Sequence, residues 1–382
     1  RILCFTKVGA HRIIEVRFMS VLSFAQKTFP TPSIMSFPCV GVDISDTSLK
    51  YIQFAREHSS DANLMLTHWG DIEIPVGVIE RGNVLDGPKL TAALREMREK
   101  SDAKYVNISL PEEHAYLFET SISAGTPFKE IREFLEFRLE ENVPLSPRDA
   151  YFDYAIVGNA EDGRSKRVAV AVYAKSTIDS YYSVCTEAKV IPLSFEIEAQ
   201  AISRASVPQG SQGAYMIVDF GKTRMGIGIV HKGVLMYTST VDVAGTQMSA
   251  DMRAVLGDLP ESELTQIKNT KGLLHTKDNE SVAVILEKMA KSIVDELGIR
   301  IHYWHSRGID VSEREIKKII LCGGSANLLG LPEYITEKLE VKAERARVWG
   351  NAFSLDTYVP PITRKYSYGY ATAIGLALKN FL

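Results

Sequence analysis

Apolar positions along the chain switch between a period of two and a period near four, and the switches mark out the elements. Cys39-Val40-Gly41-Val42 is an unbroken apolar run ending on Asp43, which predicts a buried strand. Ser45-Asp46-Thr47-Ser48 predicts a turn, and Leu49 to Phe54 a returning strand. A third strand is expected over Leu64 to Thr67, then a helix over Pro88 to Lys100 with Leu90, Leu94 and Met97 on one side, then a strand over Tyr105 to Leu110. Phe128, Ile131, Phe134, Leu135, Leu139 and Val143 trace one helical face opposite Lys129, Glu130, Arg132, Glu133 and Glu136. Thr126 is the expected N-cap of that helix, Pro127 its first residue, and Pro144 and Pro147 its stop. Phe152, Tyr154 and Ile156 alternate as a strand, Val168 to Tyr173 returns, and Ile178, Tyr181, Cys185 and Ala188 mark a further helix. This block of about 126–192 holds no reactive constellation and reads as an interaction insert.

From Ala214 the opening pattern recurs. Met216-Ile217-Val218-Asp219 is again an apolar strand ending in an acid, Phe220 to Arg224 is a turn, and Met225 to Val230 returns, with a third strand over Val234 to Val243. The repeat implies two related α/β halves facing each other. A polar helical region follows at about 247–275, then a long helix from Ser281 to Arg307 with Val282, Leu286, Met289, Ile293 and Leu297 as its seam. Ile316 to Cys322 predicts a buried strand closed by Gly323-Gly324, Pro332 to Leu339 a helix, and Ala371 to Ala377 a last helix of small residues.

Composition narrows the class. The 382 residues exceed the usual size of one core, so two lobes are expected. A net charge of -3 gives no reason to expect a nucleic-acid partner. The four cysteines, Cys4, Cys39, Cys185 and Cys322, stand singly without zinc or redox spacing, which suits a reducing compartment. No apolar run reaches the roughly 20 residues that cross a bilayer. The chain opens on Arg1, with Met19 and Met35 as candidate starts. Phe18, Val21, Leu22, Ala25 and Phe29 fall at helical spacing, readable as an amphipathic helix or as a frayed tail.

Three segments carry candidate chemistry. In the first hairpin, backbone N–H groups and the hydroxyls of Ser45, Thr47 and Ser48 could converge on a polyphosphate, with Lys50 adding charge and Asp43 holding magnesium through water. Taken alone, an aspartate at a strand end is more often a plain turn-former. The second hairpin repeats the logic at Asp219, Gly221, Lys222 and Thr223, so that two hairpins could grip phosphates from both sides of a cleft. Gly323 and Gly324 after a buried strand leave room for a flat base against the backbone, or form an ordinary strand-to-helix turn.

The order of these motifs resembles the actin-like ATPase superfamily. Its first phosphate loop matches GVDISDTSLK at 41–50, its connecting helix FEIEAQAISRA at 195–205, and its second phosphate loop IVDFGKTRMGIGIV at 217–230. IILCGGSANLLGL at 319–331 matches the adenosine motif, and ATAIGLALK at 371–379 the second connecting helix. Within the superfamily the chain looks most like the PilM family of type IV pilus assembly, through EFLEFRLEENVPLSPRDAYFDYAIVG at 133–158, Glu198 ahead of Ala199 and Ala205, and LGIRIHYW at 297–304.

The resemblance implies a duplicated, ribonuclease H-like, two-lobe α/β fold with an inserted α+β subdomain. A leader at 1–38 would precede a first lobe at 39–125, the insert at 126–192, a connecting helix at 193–210, a second lobe at 211–350 with a subdomain at about 250–308, and a returning segment at 351–382. It implies ATP and magnesium as cofactors, with Gly245, Lys268, Ser325 and Asn327 joining the nucleotide contacts and Asp43 and Asp219 at the metal. Glu198 is the only candidate for orienting a water, with a solvated helix carboxylate as the duller alternative, so ATP hydrolysis is expected to be weak or absent. The implied partner is the cytoplasmic N-terminal peptide of a PilN-like membrane protein, beside other platform components, at the inner face of the cytoplasmic membrane; self-association is open.

The chain departs from the family pattern in places. Ser45 replaces a usual glycine, Asp46 adds negative charge near an anion, and Leu264 and Thr265 stand where alanine and glutamate are usual. The alternative is an FtsA-like division protein forming membrane-associated polymers. Such proteins end in a linker and membrane helix, whereas this sequence stops at its last connecting helix. A sugar kinase would need a general-base aspartate beside a sugar pocket, and no motif supplies one.

Overall fold

The computed structural model describes residues 38–56, 64–160, 162–307 and 314–382. The amphipathic pattern at 18–29, Cys4, Met19 and Met35 lie outside them.

The first lobe is built on β1 (Cys39–Ile44), β2 (Ser48–Arg56), β3 (Leu64–Glu73), β6 (Tyr105–Leu110) and β10 (Ile191–Ile197), in the order β10-β6-β1-β2-β3. A two-stranded ribbon, β4 (Ile79–Glu80) and β5 (Asn83–Val84), precedes helix α1 (Gly87–Ser101). The second lobe is built on β11 (Ala214–Phe220), β12 (Met225–His231), β13 (Val234–Val241), β14 (Ile316–Cys322) and β15 (Ala343–Arg345), in the order β13-β12-β11-β14-β15. In both sheets the first three strands form an antiparallel meander, and a later strand pairs parallel with the first, β6 with β1 and β14 with β11. The duplication read from two short motifs therefore extends to every strand of each sheet.

Strand character follows burial. Val40, Val42, Met216, Ile217 and Val218 are almost wholly buried because both sheets are covered on two faces. α9 (Ala371–Leu378) packs on β1, β2 and β6, and α4 (Glu198–Ser206) packs on α9, on β10 and on β11 and β12 of the second lobe. Their small residues set the distance. A Cβ at Gly375 would overlap the carbonyl of Ala201, and one at Gly41 the carbonyl of Ala373. Arg204 of α4 is locked by a bidentate pair with Glu196 (2.7 and 2.5 Å) and donates to the Gly375 carbonyl at 2.8 Å.

The remaining helices cover the outer faces: α5 (Gly245–Leu256), α6 (Glu261–Thr270), α7 (Glu280–Ser306) and α8 (Leu331–Leu339) on the second lobe, and α3 (Lys175–Glu187) against α1 on the first. Between β6 and β10 in the chain lies a small sheet, β7-β9-β8, of β7 (Tyr116–Ser123), β8 (Ala150–Asn159) and β9 (Ser165–Ala174), with α2 (Phe128–Asn142) on it. It has its own core of Phe118, Ile131, Leu135, Leu139, Phe152 and Val170. β7 carries no strand signal in the sequence, since Glu119, Thr120 and Ser121 break its apolar run. α2 starts at Phe128 with Pro127 in the cap position and no side chain capping it, so Thr126 is not the N-cap.

Candidate functional site

Because β1 and β11 run the same way in their sheets, the turns that follow them meet over one cleft of about 600 Å³. Its lining includes Asp43, Ser45, Thr47, Ser48 and Lys50 from the first hairpin, Asp219, Gly221, Lys222 and Thr223 from the second, and Glu198, Gly323 and Gly324.

The first hairpin is preformed. The Ser45 N–H and hydroxyl both donate to the Ser48 carbonyl (2.9 and 3.0 Å), and Lys50 donates to the Ser48 hydroxyl at 2.5 Å. Ser109, at the end of β6, donates to Asp43 at 3.1 Å and accepts from the Ile44 N–H at 3.0 Å, which fixes the aspartate toward the cleft. The second turn closes through the Gly221 N–H on the Arg224 carbonyl at 2.9 Å. Gly323 has φ 83°, and a Cβ there would run into Asp219 and the Phe220 carbonyl, so only glycine lets this loop close on the aspartate.

Gly245, Lys268, Ser325 and Asn327 do not line the cleft. The Gly245 N–H and the Ser325 hydroxyl both donate to the Gly221 carbonyl (3.3 and 3.1 Å), supporting the second hairpin from behind. Lys268 is buried and donates to Ser249 at 2.8 Å and Glu261 at 3.4 Å; burial pulls its pKa down. Asn327 donates to the carbonyls of Gly324 and Lys365 and so braces the glycine loop.

The cleft is acidic. Burial, then the charge of Asp43, pushes Asp219 up to about 7, and burial pushes Asp43 up despite Lys50. Glu198, the first residue of α4, is raised well above the carboxylate range by burial and by Asp43, Glu112 and Asp219 in turn. Glu112 was not anticipated. It follows β6, is buried, and accepts the Ala199 N–H at 2.9 Å with one oxygen while the other lies toward Thr238 and Gly226. That oxygen lies 2.7 Å from where a Cβ of Gly226 would stand, so a glycine in β12 admits it. Burial raises Glu112 to about 7. The rule that found Asp43 and Asp219, an acid closing an apolar strand, applies equally to Tyr105–Leu110 followed by Pro111-Glu112.

Four buried carboxylates, in which Asp43 raises Asp219 and Glu198 and Asp219 raises Glu112 and Glu198, are a donor set that a divalent cation would relieve. Among the described residues no three of His, Cys, Asp or Glu converge closely enough to bind a metal directly. The arrangement fits magnesium, which keeps several of its waters and takes one or two carboxylates.

Asp46 does not stand unpaired in the cleft. It bonds Arg224 of the opposite hairpin at 2.8 Å and accepts the N–H groups of Arg81 and Gly82, each at 3.3 Å. Nothing local in the sequence links Asp46 to a residue so distant along the chain.

Comparison with known proteins agrees with this geometry. The family model for type IV pilus assembly protein PilM matches residues 41–381. Among solved structures, a PilM-PilN type IV pilus biogenesis complex superposes with a TM-score of 0.73 at 16% identity, covering 90% of this chain and 99% of that one. MreB5 of Spiroplasma citri bound to ADP gives 0.52 at 12% identity, covering 90% and 95%. The ethanolamine utilization protein EutJ from Carboxydothermus hydrogenoformans gives 0.51 at 14%, covering 89% and 88%. The expected actin-like, two-lobe fold is the one these proteins share. Among the described residues no helix is long and apolar enough to cross a membrane. With the family match running over nearly all of the sequence, the chain belongs to the type IV pilus assembly protein PilM family.

Proposed function

We propose that the chain is an ATP-binding scaffold of type IV pilus assembly whose cleft angle is set by a magnesium-bound nucleotide and read by a membrane-protein partner. The observation that carries this reading is the convergence of two equivalent acidic hairpins, from different lobes, on one cleft. Asp43 and Asp219 would hold magnesium through water. The hairpin N–H groups, Ser45, Thr47, Ser48, Lys50, Lys222 and Thr223 would meet the phosphates, and Gly323-Gly324 would back the adenosine. Gly245 and Ser325 would act by supporting the second hairpin, with Lys268 and Asn327 bracing the same side. A structure related to the chain holds ADP and another AMPPNP, which favours a nucleotide over other anions.

Hydrolysis is slow in this reading. Glu198 would orient a water, but burial and then the neighbouring carboxylates favour its protonated form, a poor acceptor for the water's proton. Binding energy therefore goes mainly into fixing the lobes. The partner is the cytoplasmic N-terminal peptide of a PilN-like protein, received beside the insert, and the protein sits at the inner face of the cytoplasmic membrane through that partner. A related chain is solved as a PilM-PilN complex, which supports this. Co-purification with a tagged PilN-like cytoplasmic peptide from the same genome, with and without ATP, tests it. Retention that depends on ATP is expected, and no retention in either condition overturns the partner assignment.

A further inference from the structure

The tips of the two hairpins are bonded directly to each other. Arg224, at the end of the β11–β12 turn, points one arm of its guanidinium at Asp46 of the β1–β2 turn (2.8 Å) and the other at Glu113, which follows β6. All three side chains are only 16–17% exposed, so solvent screens them less than it would a surface pair. Asp46 is held in place by the N–H groups of Arg81 and Gly82. Arg81 in turn crosses to Asp242 of the second lobe at 3.1 Å, and its carbonyl bonds His114 at 2.9 Å. A planar guanidinium held by two carboxylates fixes orientation as well as distance.

We propose that the Asp46–Arg224–Glu113 cluster is a latch that ties the lobes at the mouth of the cleft, and that a polyphosphate entering the cleft must release it by competing for Arg224. The three residues line the same cleft as Lys50 and Lys222. A phosphate group arriving between the hairpins meets a guanidinium whose two bonds are already taken by anions of lower charge. The latch goes beyond the nucleotide reading and depends on it only for what releases it.

The test is a distance measurement between the lobes by pulsed electron resonance, with spin labels at Glu99→Cys and Asp258→Cys, both exposed positions, in a Cys4→Ser background. The other cysteines, Cys39, Cys185 and Cys322, are buried. Without nucleotide, Asp46→Asn, Glu113→Gln and Arg224→Gln should each broaden the distance distribution toward longer values. Concentrated potassium chloride should do the same to the parent and little to the variants. Asp46→Asn, whose amide oxygen can still accept from Gly82, should also bind Mg-ATP several-fold more tightly. Superimposable distributions in parent, variants and salt overturn the latch, even where ATP binds. Shifted distributions with no ATP uptake by any form keep the latch and remove the nucleotide reading.

Discussion

Asp43 and Asp219 sit in different lobes, yet the charge of one reaches the other: after burial, Asp43 is the main reason that Asp219 is held near 7. Each aspartate comes late in the first strand of its sheet, Asp43 facing Lys50 and Asp219 facing Gly226 across their hairpins. The repeat that was visible as two short motifs thus becomes one electrostatic unit once the sheets face each other.

The crossing of α4 and α9 should tolerate no added volume. Gly375→Val would drive a side chain into the Ala201 carbonyl, where backbone cannot give way, and should cost at least ~2 kcal/mol. Urea unfolding of the variant beside Gly298→Ala checks this. Gly298 lies on α7 with only Leu339 near, at 3.6 Å, so its change should be near neutral or stabilising.

Glu196 is fully buried beneath Arg204, and Lys379 stands 3.7 Å away. Glu196→Ala leaves a buried guanidinium without its counter-ion and should lose ~3–5 kcal/mol. Thermal unfolding of Glu196→Ala and of the double variant Glu196→Ala/Arg204→Ala separates the charge from the packing, because the double variant should recover part of the loss.

Glu112 gives the cleft a pH dependence of definite sign. Its carboxyl titrates near 7 in the folded protein against an ordinary value of 4.5. Below the lower value it is protonated in both states and its contribution is whole; as pH rises through about 7 the folded state must accept a buried charge and the contribution is lost. Glu112→Gln keeps the acceptor for Ala199 and removes the charge. Its melting temperature relative to the parent should therefore rise between about pH 5 and about pH 8, and parallel melting curves across that range would refute the assignment.

Much of the fold is legible in the sequence because buried strands such as Cys39–Ile44 and Ile316–Cys322 are continuous apolar runs bounded by turn residues. The hairpins were legible for the same reason. Three features were not. β7 is interrupted by Glu119, Thr120 and Ser121, of which Glu119 is held by Arg314, distant along the chain. Glu112 closes an apolar strand much as Asp43 and Asp219 do, but the intervening Pro111 makes it read locally as a turn acid. Arg224 reaches Asp46 across 178 positions of sequence, and no periodicity reports such a pairing. Long-range charge pairs are fixed by topology, so they become visible only when the strand order is known.

The central claim is that both hairpins close on one magnesium-bound nucleotide. Titration calorimetry of Mg-ATP into the parent, Asp43→Ala and Asp219→Ala, with folding confirmed by circular dichroism, tests it most directly. The account predicts saturable binding by the parent that depends on magnesium and is lost in both variants; equal affinity in all three proteins would contradict it.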